Sequence, residues 1–295
     1  MTKQTVPCTL CGANDSRFVF HIAGIDIRDC VHCDHRFADY SVDANHLGRV
    51  YGDDYFFGGG AGYQDYLASG ELLRYQGRCY GQRLASCIEP GRLLDVGAAA
   101  GFLMQGFRES GWQPEGIEPN RAMADHARNV FDLPTHVGTL EDYDAPRATF
   151  AAVAMVQVIG HVANLSESLA RIHDLLLPGG LLLIETWLRD AWSARLLGPR
   201  WHEYSPPSVL HWFGRRDLKF AADRFGFQHV AKGRPVKWIT AGHGKSLLRY
   251  KYGNGWLRPI VTLCDASLPD RLAIPYVMDD VAWVVWRKDC GNVVS

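Results

Sequence analysis

An apolar run that ends in an aspartate and breaks into a glycine-rich turn, LLDVGAAAGFL at 93 to 103, constrains this chain more than any other segment. Leu93 to Val96 reads as a buried strand, and a helix begins near Gly101. Gly97 lets the chain turn tightly beside a ligand; Gly101 lets helix and strand approach closely. Glu118 stands 23 residues beyond Asp95, at the end of a second strand in PEGIEP. That is the layout by which an α/β sheet holds an adenosine-bearing ligand, the glutamate accepting both ribose hydroxyls. A dinucleotide site prefers Gly-x-Gly-x-x-Gly, so that pyrophosphate rests on the helix N-terminus. Here three alanines fill the turn and Asp95 repels phosphate, which suits a ligand with a cationic amino group.

Strands and helices alternate onward from this unit. FLMQGFRES reads as a helix closed by Gly111 and RAMADHARNV as a second helix. THVG, FAAVAMVQV and LLLIETW are three further strands, with a helix at about 164 to 176 before the last. A helix at 215 to 225, a strand within 227 to 240 and VAWVVWR at 281 to 287 complete the tail. The expected class is α/β with a parallel sheet and crossover helices. Upstream, residues 67 to 90 carry Leu72, Leu73, Tyr75, Tyr80, Leu84 and Ile88 at mostly helical spacing. Residues 45 to 66 hold six Tyr or Phe around Gly58-Gly59-Gly60, too Gly-rich for a helix, and read as a loop over a ligand.

Cys8-x2-Cys11 and Cys30-x2-Cys33, with 18 residues between, have the spacing that closes four thiolates around Zn2+. A structural zinc ribbon is expected over residues 1–44, with FVFHIAGIDIRDC as a hairpin entering the second knuckle. A redox dithiol pair and a catalytic zinc are the rival readings. His32 and His35 read as solvated neighbours, because four sulfurs complete the shell. Cys79, Cys87, Cys264 and Cys290 show no pairing pattern and read as structural thiols.

The 31 Lys and Arg against 32 Asp and Glu leave a net charge of −1, so no global field draws the chain to nucleic acid or an anionic membrane. MTKQTVPCTLCG has no apolar run, and Pro178-Gly179-Gly180 interrupts the stretch at 175 to 184. Neither a secretory signal nor a membrane span is expected, and the expected location is the cytoplasm.

LLDVGAAAGFL and GIEPN resemble the first two motifs of the class I S-adenosylmethionine-dependent methyltransferases. GTLEDY at 138 to 143 is similar to their adenine-edge segment, FAAVAMVQVIGHV to their fourth strand, and LLLPGGLLLIETW to their Pro-Gly-Gly turn and fifth strand. Within that class, the four-Cys module, Tyr55-Phe56, Gly62-Tyr63 and PPSVLHWF at 206 to 213 resemble a bacterial subgroup acting on sugars, nucleotide sugars and other small metabolites. The resemblance implies a Rossmann-like seven-stranded sheet, six strands parallel and one antiparallel, over residues 91–295, joined to the zinc ribbon by 45–90 and carrying a substrate-lid insertion at 188–213. It implies S-adenosylmethionine as cofactor, with Pro119, Leu140, Tyr63 and Gln157 joining Asp95, Gly97, Gly101 and Glu118 in the cofactor site. Where such families carry Phe-Asp and Glu-His at the ends of strand four, this chain has Phe150-Ala151 and Gly160-His161; Val209 replaces a further His.

Methyl transfer from a sulfonium is an in-line displacement, and an oxygen or carbon nucleophile must also lose a proton. A base titrating near neutrality helps, which makes histidines the candidates. His161 follows strand four at the ligand-binding edge of the sheet. His202, Glu203, Tyr204 and His211 lie in the insertion, beside Trp192, Trp201 and Trp212, which can instead pack it onto the sheet. His243 sits in AGHGKS, which lacks the first Gly of a P-loop and the strand-to-helix context of a phosphate cradle. The expected activity is methyl transfer to O, N or C of a small molecule, with no nucleic-acid partner. The alternatives are a zinc-ribbon RNA or protein methyltransferase, hinted at by Arg215-Arg216 and Lys245 to Lys251, and a cofactor-binding protein with a non-methylating or regulatory role.

Overall fold

The computed structural model describes residues 5–43, 45–57, 66–235, 238–252 and 269–289. The expected hairpin forms β1 (Ser16–Ile22) and β2 (Ile25–Cys30), closed by Ala23-Gly24 with both residues at positive φ. β3 (Arg36–Ala38) adds to β2 immediately after the second Cys knuckle. Two short helices follow where a loop was expected, α1 (His46–Val50) and α2 (Asp53–Phe57); they stop before the triple glycine. Next comes α3 (Gly70–Ala85), which buries Tyr80 and Leu84 from the helical spacing of that segment.

The expected alternation then appears. β4 (Arg92–Val96), α4 (Phe102–Glu109), β5 (Gln113–Glu118), α5 (Arg121–Phe131), β6 (Thr135–Val137), β7 (Phe150–Val156), α6 (Leu165–Leu175) and β8 (Leu176–Trp187) run in sequence. α7 (Trp192–Leu197) and the short strand β9 (His211–Trp212) lie in the insertion. The tail holds α8 (Arg215–Arg224), β10 (Phe227–Gly233), β11 (Trp238–Thr240), α9 (Ala241–Tyr252), β12 (Ala273–Pro275) and β13 (Val281–Lys288).

Seven strands form one sheet in the order β10-β13-β8-β7-β4-β5-β6. The pairings of β8, β7, β4, β5 and β6 are all parallel, while β13 is antiparallel to both β8 and β10. Six strands therefore share a direction and β13 opposes them, as expected. α4 and α5 pack together on one face and α6 on the other, so the chain's progress reverses at β4, leaving a crevice at the carboxyl ends of β4 and β7. β7 and β8 are buried on both sides, which is why their sequences are apolar runs without alternation.

The four-stranded sheet β1-β2-β3-β9 joins the N-terminal module to the insertion after β8. Its buried side chains are continuous with one face of the large sheet: Leu10, Ile27 and Phe37 share a core with Val153, Met155, Leu182, Ile184, Trp201 and Trp212. The opposite face of the sheet packs under α3 and α4 through Tyr80, Leu84, Leu103 and Phe107. The Cys-bearing module is thus built into the side of the fold that carries the insertion. Among the described residues, no helix is long and apolar enough to cross a membrane.

Candidate active site

A cavity of about 510 Å³ opens at the carboxyl ends of β4, β5 and β7. Gly97 (φ +75°) and Gly101 (φ +86°) make the turn after β4, and the chain packs tightly at both: a Cβ on Gly97 would collide with Val158 Cγ2, and one on Gly101 would lie 2.8 Å from Ala127 Cβ. The turn also holds Ala99 at φ +46°. Its amide donates to Glu118 Oε2 (2.8 Å), and the Asn120 amide donates to Glu118 Oε1 (2.8 Å). Two backbone donors therefore fix the carboxylate on the cavity wall and leave each oxygen a further lone pair for a ligand hydroxyl. Burial pushes the Glu118 carboxyl up to about 7 despite those bonds.

Asp95 lies beneath the turn, 1% exposed and off the cavity wall. Its Oδ2 has no partner, and burial followed by the nearby Glu118 pushes its carboxyl up to about 8. A buried acid with an orphaned oxygen fits a cationic ligand group overhead. Pro119, Leu140 and Gln157 line the cavity with Glu118 and Gly97; Gly101 lies behind it. Tyr63 lies outside the described residues.

Gln157 (φ +64°) ends β7 in the left-handed region, where a non-glycine residue is strained. Its amide donates to Glu185 Oε1 (2.5 Å), while Gln76 (2.5 Å) and the Tyr80 hydroxyl donate to Glu185 Oε2. This wholly buried carboxylate on β8 fixes the two glutamine side chains on the cavity wall.

On the opposite wall, His161 Nδ1 lies 2.7 Å from the Ser208 carbonyl, which also accepts from the Tyr51 hydroxyl at 2.6 Å. A carbonyl only accepts, so Nδ1 carries the proton and the lone pair resides on Nε2. Burial lowers the imidazole pKa, so the ring is neutral at pH 7. His202 and Glu203 also line the cavity, His202 edge-on to Trp187 and 4.0 Å from Asp280 Oδ2.

Tyr204 and His211 do not reach the wall. Tyr204 is buried in an aromatic cluster with Phe20, Trp201 and Trp212, and its hydroxyl accepts from Arg36 Nη1 (2.6 Å). His211 is buried between the Cys-bearing module and β7's exit. Its Nε2 donates to the Val162 carbonyl (2.9 Å), and its Nδ1 accepts from His35 Nε2 (3.1 Å). Burial and His35 depress it to about 3.

His35 is likewise no solvated neighbour. It is fully buried, and its Nδ1 donates to Asp217 Oδ2 (3.2 Å). His32 is exposed as expected. Trp201 and Trp212 pack the insertion, but Trp192 is 71% exposed; Cys79 is exposed too, and Cys264 and Cys290 fall outside the described residues. AGHGKS opens α9 directly after β11, so the strand-to-helix context is present after all; Lys245 is spent on Asp270 (2.7 Å). His243 lines the cavity.

Sequence reasoning missed Asn120, Tyr51, His46 and Glu185. Asn120 caps α5, accepting from the Met123 amide (3.0 Å), and its Nδ2 donates to the Tyr51 carbonyl (3.1 Å). An Asn directly ahead of a helix was the available signal. No spacing rule points to the others.

The Cys8, Cys11, Cys30 and Cys33 sulfurs all lie within 4.8 Å of one another. Cys8 and Cys33 are 3.6 Å apart and Cys11 and Cys30 3.5 Å, far beyond a disulfide bond and close to the roughly 3.8 Å edge of a tetrahedron with ~2.3 Å metal–sulfur bonds.

A family model described as a methyltransferase domain matches residues 72–232, more than half of the chain. The chain belongs to that family. It carries a methyltransferase domain. A ubiquinone biosynthesis O-methyltransferase of Bradyrhizobium sp. (strain ORS 278) is 33% identical to this chain over 135 residues, 44% of this chain and 51% of that protein. The Nitrobacter winogradskyi protein of the same name is 34% identical over 138 residues, 45% and 51% of the two chains. The chain spans about half the length of the curated relatives it matches. The crystal structure of the YcgJ protein from Bacillus subtilis has the same fold, with a TM-score of 0.54 at 14% identity, covering 73% of this chain and 99% of that one. A putative methyltransferase from Bacillus halodurans C-125 gives 0.55 at 12% identity, covering 72% and 98%.

Proposed function

We propose that the methyltransferase methylates a hydroxyl oxygen of a small, uncharged molecule, with His161 as general base. The observation that carries this reading is the bonding of His161: Ser208 occupies Nδ1, which leaves the basic Nε2 to a ligand on the cavity wall. A hydroxyl is a poor nucleophile until its proton is removed, and a neutral imidazole is the side chain best matched to that task near pH 7. Burial lowers its basicity, so the rate should plateau above a pKa below that of free histidine.

Among the described residues, neither Lys nor Arg lines the cavity, whereas Asp43, Glu118, Glu141, Asp142 and Glu203 do. A phosphorylated acceptor or RNA meets no countercharge there, and an uncharged acceptor is favoured. The names of the curated relatives support transfer to oxygen.

Glu118 would hold the ribose hydroxyls of S-adenosylmethionine and Asp95, beneath the turn, would favour its cationic amino group from behind the wall, with Leu140 and Pro119 beside the adenine. The bound cofactor supplies an electrophilic methyl group. The chain's own part is to aim the acceptor oxygen, accept its proton at His161 Nε2 and keep water out with Tyr51, Trp187 and Tyr276.

Cys8, Cys11, Cys30 and Cys33 would hold a structural Zn2+. With no ligand position left open, such an ion would act by fixing the module. That module pairs through β3 with β9, and β9 continues from the segment whose Ser208 carbonyl orients His161.

Incubation with S-adenosylmethionine and a panel of uncharged phenols and alcohols, analysed by mass spectrometry and NMR, tests this function. A methyl ether formed by wild type and not by His161→Asn is expected. Methylation only at nitrogen or carbon, or of RNA, would overturn it.

A further inference from the structure

His46 stands on the cavity wall, 1% exposed, with neither ring nitrogen hydrogen-bonded. It begins α1, and its ring lies against Tyr40 (centroids 5.6 Å apart) and edge-on to Tyr51 (6.3 Å). Tyr51 in turn meets the His161 ring at 5.7 Å. One tyrosine therefore touches both histidines. Their bonding differs: His161 has its Nδ1 fixed by a carbonyl, while His46 has two polar atoms removed from water and given nothing in exchange.

Leaving a buried donor or acceptor unmet costs on the order of 1–3 kcal/mol, so such a group calls for an explanation. A packing role does not supply one, because Phe or Leu would fill this position among Val42, Leu47 and Tyr51 without that cost. A ligand does supply one. Burial and the neighbouring Arg49 keep the ring neutral, outweighing Asp43. A neutral imidazole offers one N–H and one lone pair, the complement of a hydroxyl, which both donates and accepts.

We propose that His46 is an acceptor-specificity residue that binds a second hydroxyl of an uncharged, polyhydroxylated acceptor while the reacting hydroxyl faces His161. The proposal rests on the O-methyl-transfer reading above and names what that acceptor must carry. His46 touches no reacting atom; it sets which hydroxyl is presented. A compound with a single hydroxyl leaves His46 buried and unpaired, so the site discriminates against it.

Binding to the protein saturated with S-adenosylhomocysteine separates this proposal from the catalytic one, since no turnover is needed. Calorimetry would compare phenol with 1,2-, 1,3- and 1,4-benzenediol, which sample three oxygen–oxygen spacings. At least one diol is expected to bind wild type about tenfold more tightly than phenol, one buried hydrogen bond's worth. His46→Leu should erase that preference while leaving phenol and S-adenosylhomocysteine affinities unchanged, and His46→Gln should restore part of it. The side-chain 15N signals of His46 should shift with the diol and not with phenol. Equal binding of phenol and all three diols to wild type would overturn the proposal, as would a preference that survives in His46→Leu. If the diol preference holds and no methyl ether forms, His46 stands and the O-methyl-transfer reading fails.

Discussion

The two walls of the cavity are built in different ways. The wall proposed to face the cofactor centres on one stretch of chain, Asp95 to Asn120, in which a strand, a strained turn, a helix and a second strand place Glu118 against the Ala99 and Asn120 amides. The wall proposed to face the acceptor is assembled from distant segments: Tyr51 from the aromatic stretch, His161 from the exit of β7, and Ser208 from the insertion. Local covalent geometry suffices for the first, whereas the second needs the insertion held in place, and the Cys-bearing module does the holding through β3–β9 pairing and the Asp217–His35–His211 chain. Damage to one wall should therefore spare the other.

Removing the proposed metal ligands should show this most strongly. Cys30→Ser with Cys33→Ser, or exhaustive chelation, is expected to lower methyl-transfer rate at least 100-fold as the segment around Ser208 loosens, while S-adenosylmethionine affinity changes less than threefold. Equal loss of both, by calorimetry beside a turnover assay, would erase the distinction. Glu118→Gln attacks the other wall. Charge-assisted hydrogen bonds contribute about 1.5–3 kcal/mol each, so cofactor affinity should fall roughly 10- to 100-fold with the insertion's structure unchanged.

Asp95 gives a pH test. Its carboxyl rises from 3.8 to about 8 on folding, so between those values the native state binds the extra proton and stability falls as pH rises. Thermal melts of the ligand-free protein should show that decline from pH 5 to 8, to which Glu118, pushed up to about 7, adds, and Asp95→Asn should reduce it, most of all above pH 7, while weakening cofactor binding. Tyr204→Phe should do least. It deletes the Arg36 hydrogen bond inside the aromatic cluster, costing about 1 kcal/mol of stability and leaving cofactor affinity intact.

The same contrast explains what could be read from the sequence. LLDVGAAAGFL and GIEPN specify a turn and an acid within one local unit; the parallel α/β sheet followed from the alternation, and its seven strands with one reversed followed from the resemblance. In the insertion, residue type was a poor guide. His211 and Tyr204 have the chemistry of catalytic groups, yet both are consumed by partners from the Cys-bearing module, His35 and Arg36, more than 160 residues away in sequence. His35 was misread for the same reason, since its partner Asp217 lies 182 residues on. Tyr51 could not be singled out among the six Tyr and Phe of its segment, nor His46 ahead of them, because only the folded chain brings Tyr51 between His46 and His161.

The most direct test pairs a cofactor titration with a single-turnover rate for wild type and His161→Asn. The account predicts an unchanged S-adenosylmethionine dissociation constant and a rate lower by about 10²- to 10⁴-fold, the usual contribution of a general base. A variant that keeps the wild-type rate, or that loses cofactor binding with it, would contradict the division of the cavity into a cofactor wall and a proton-accepting wall.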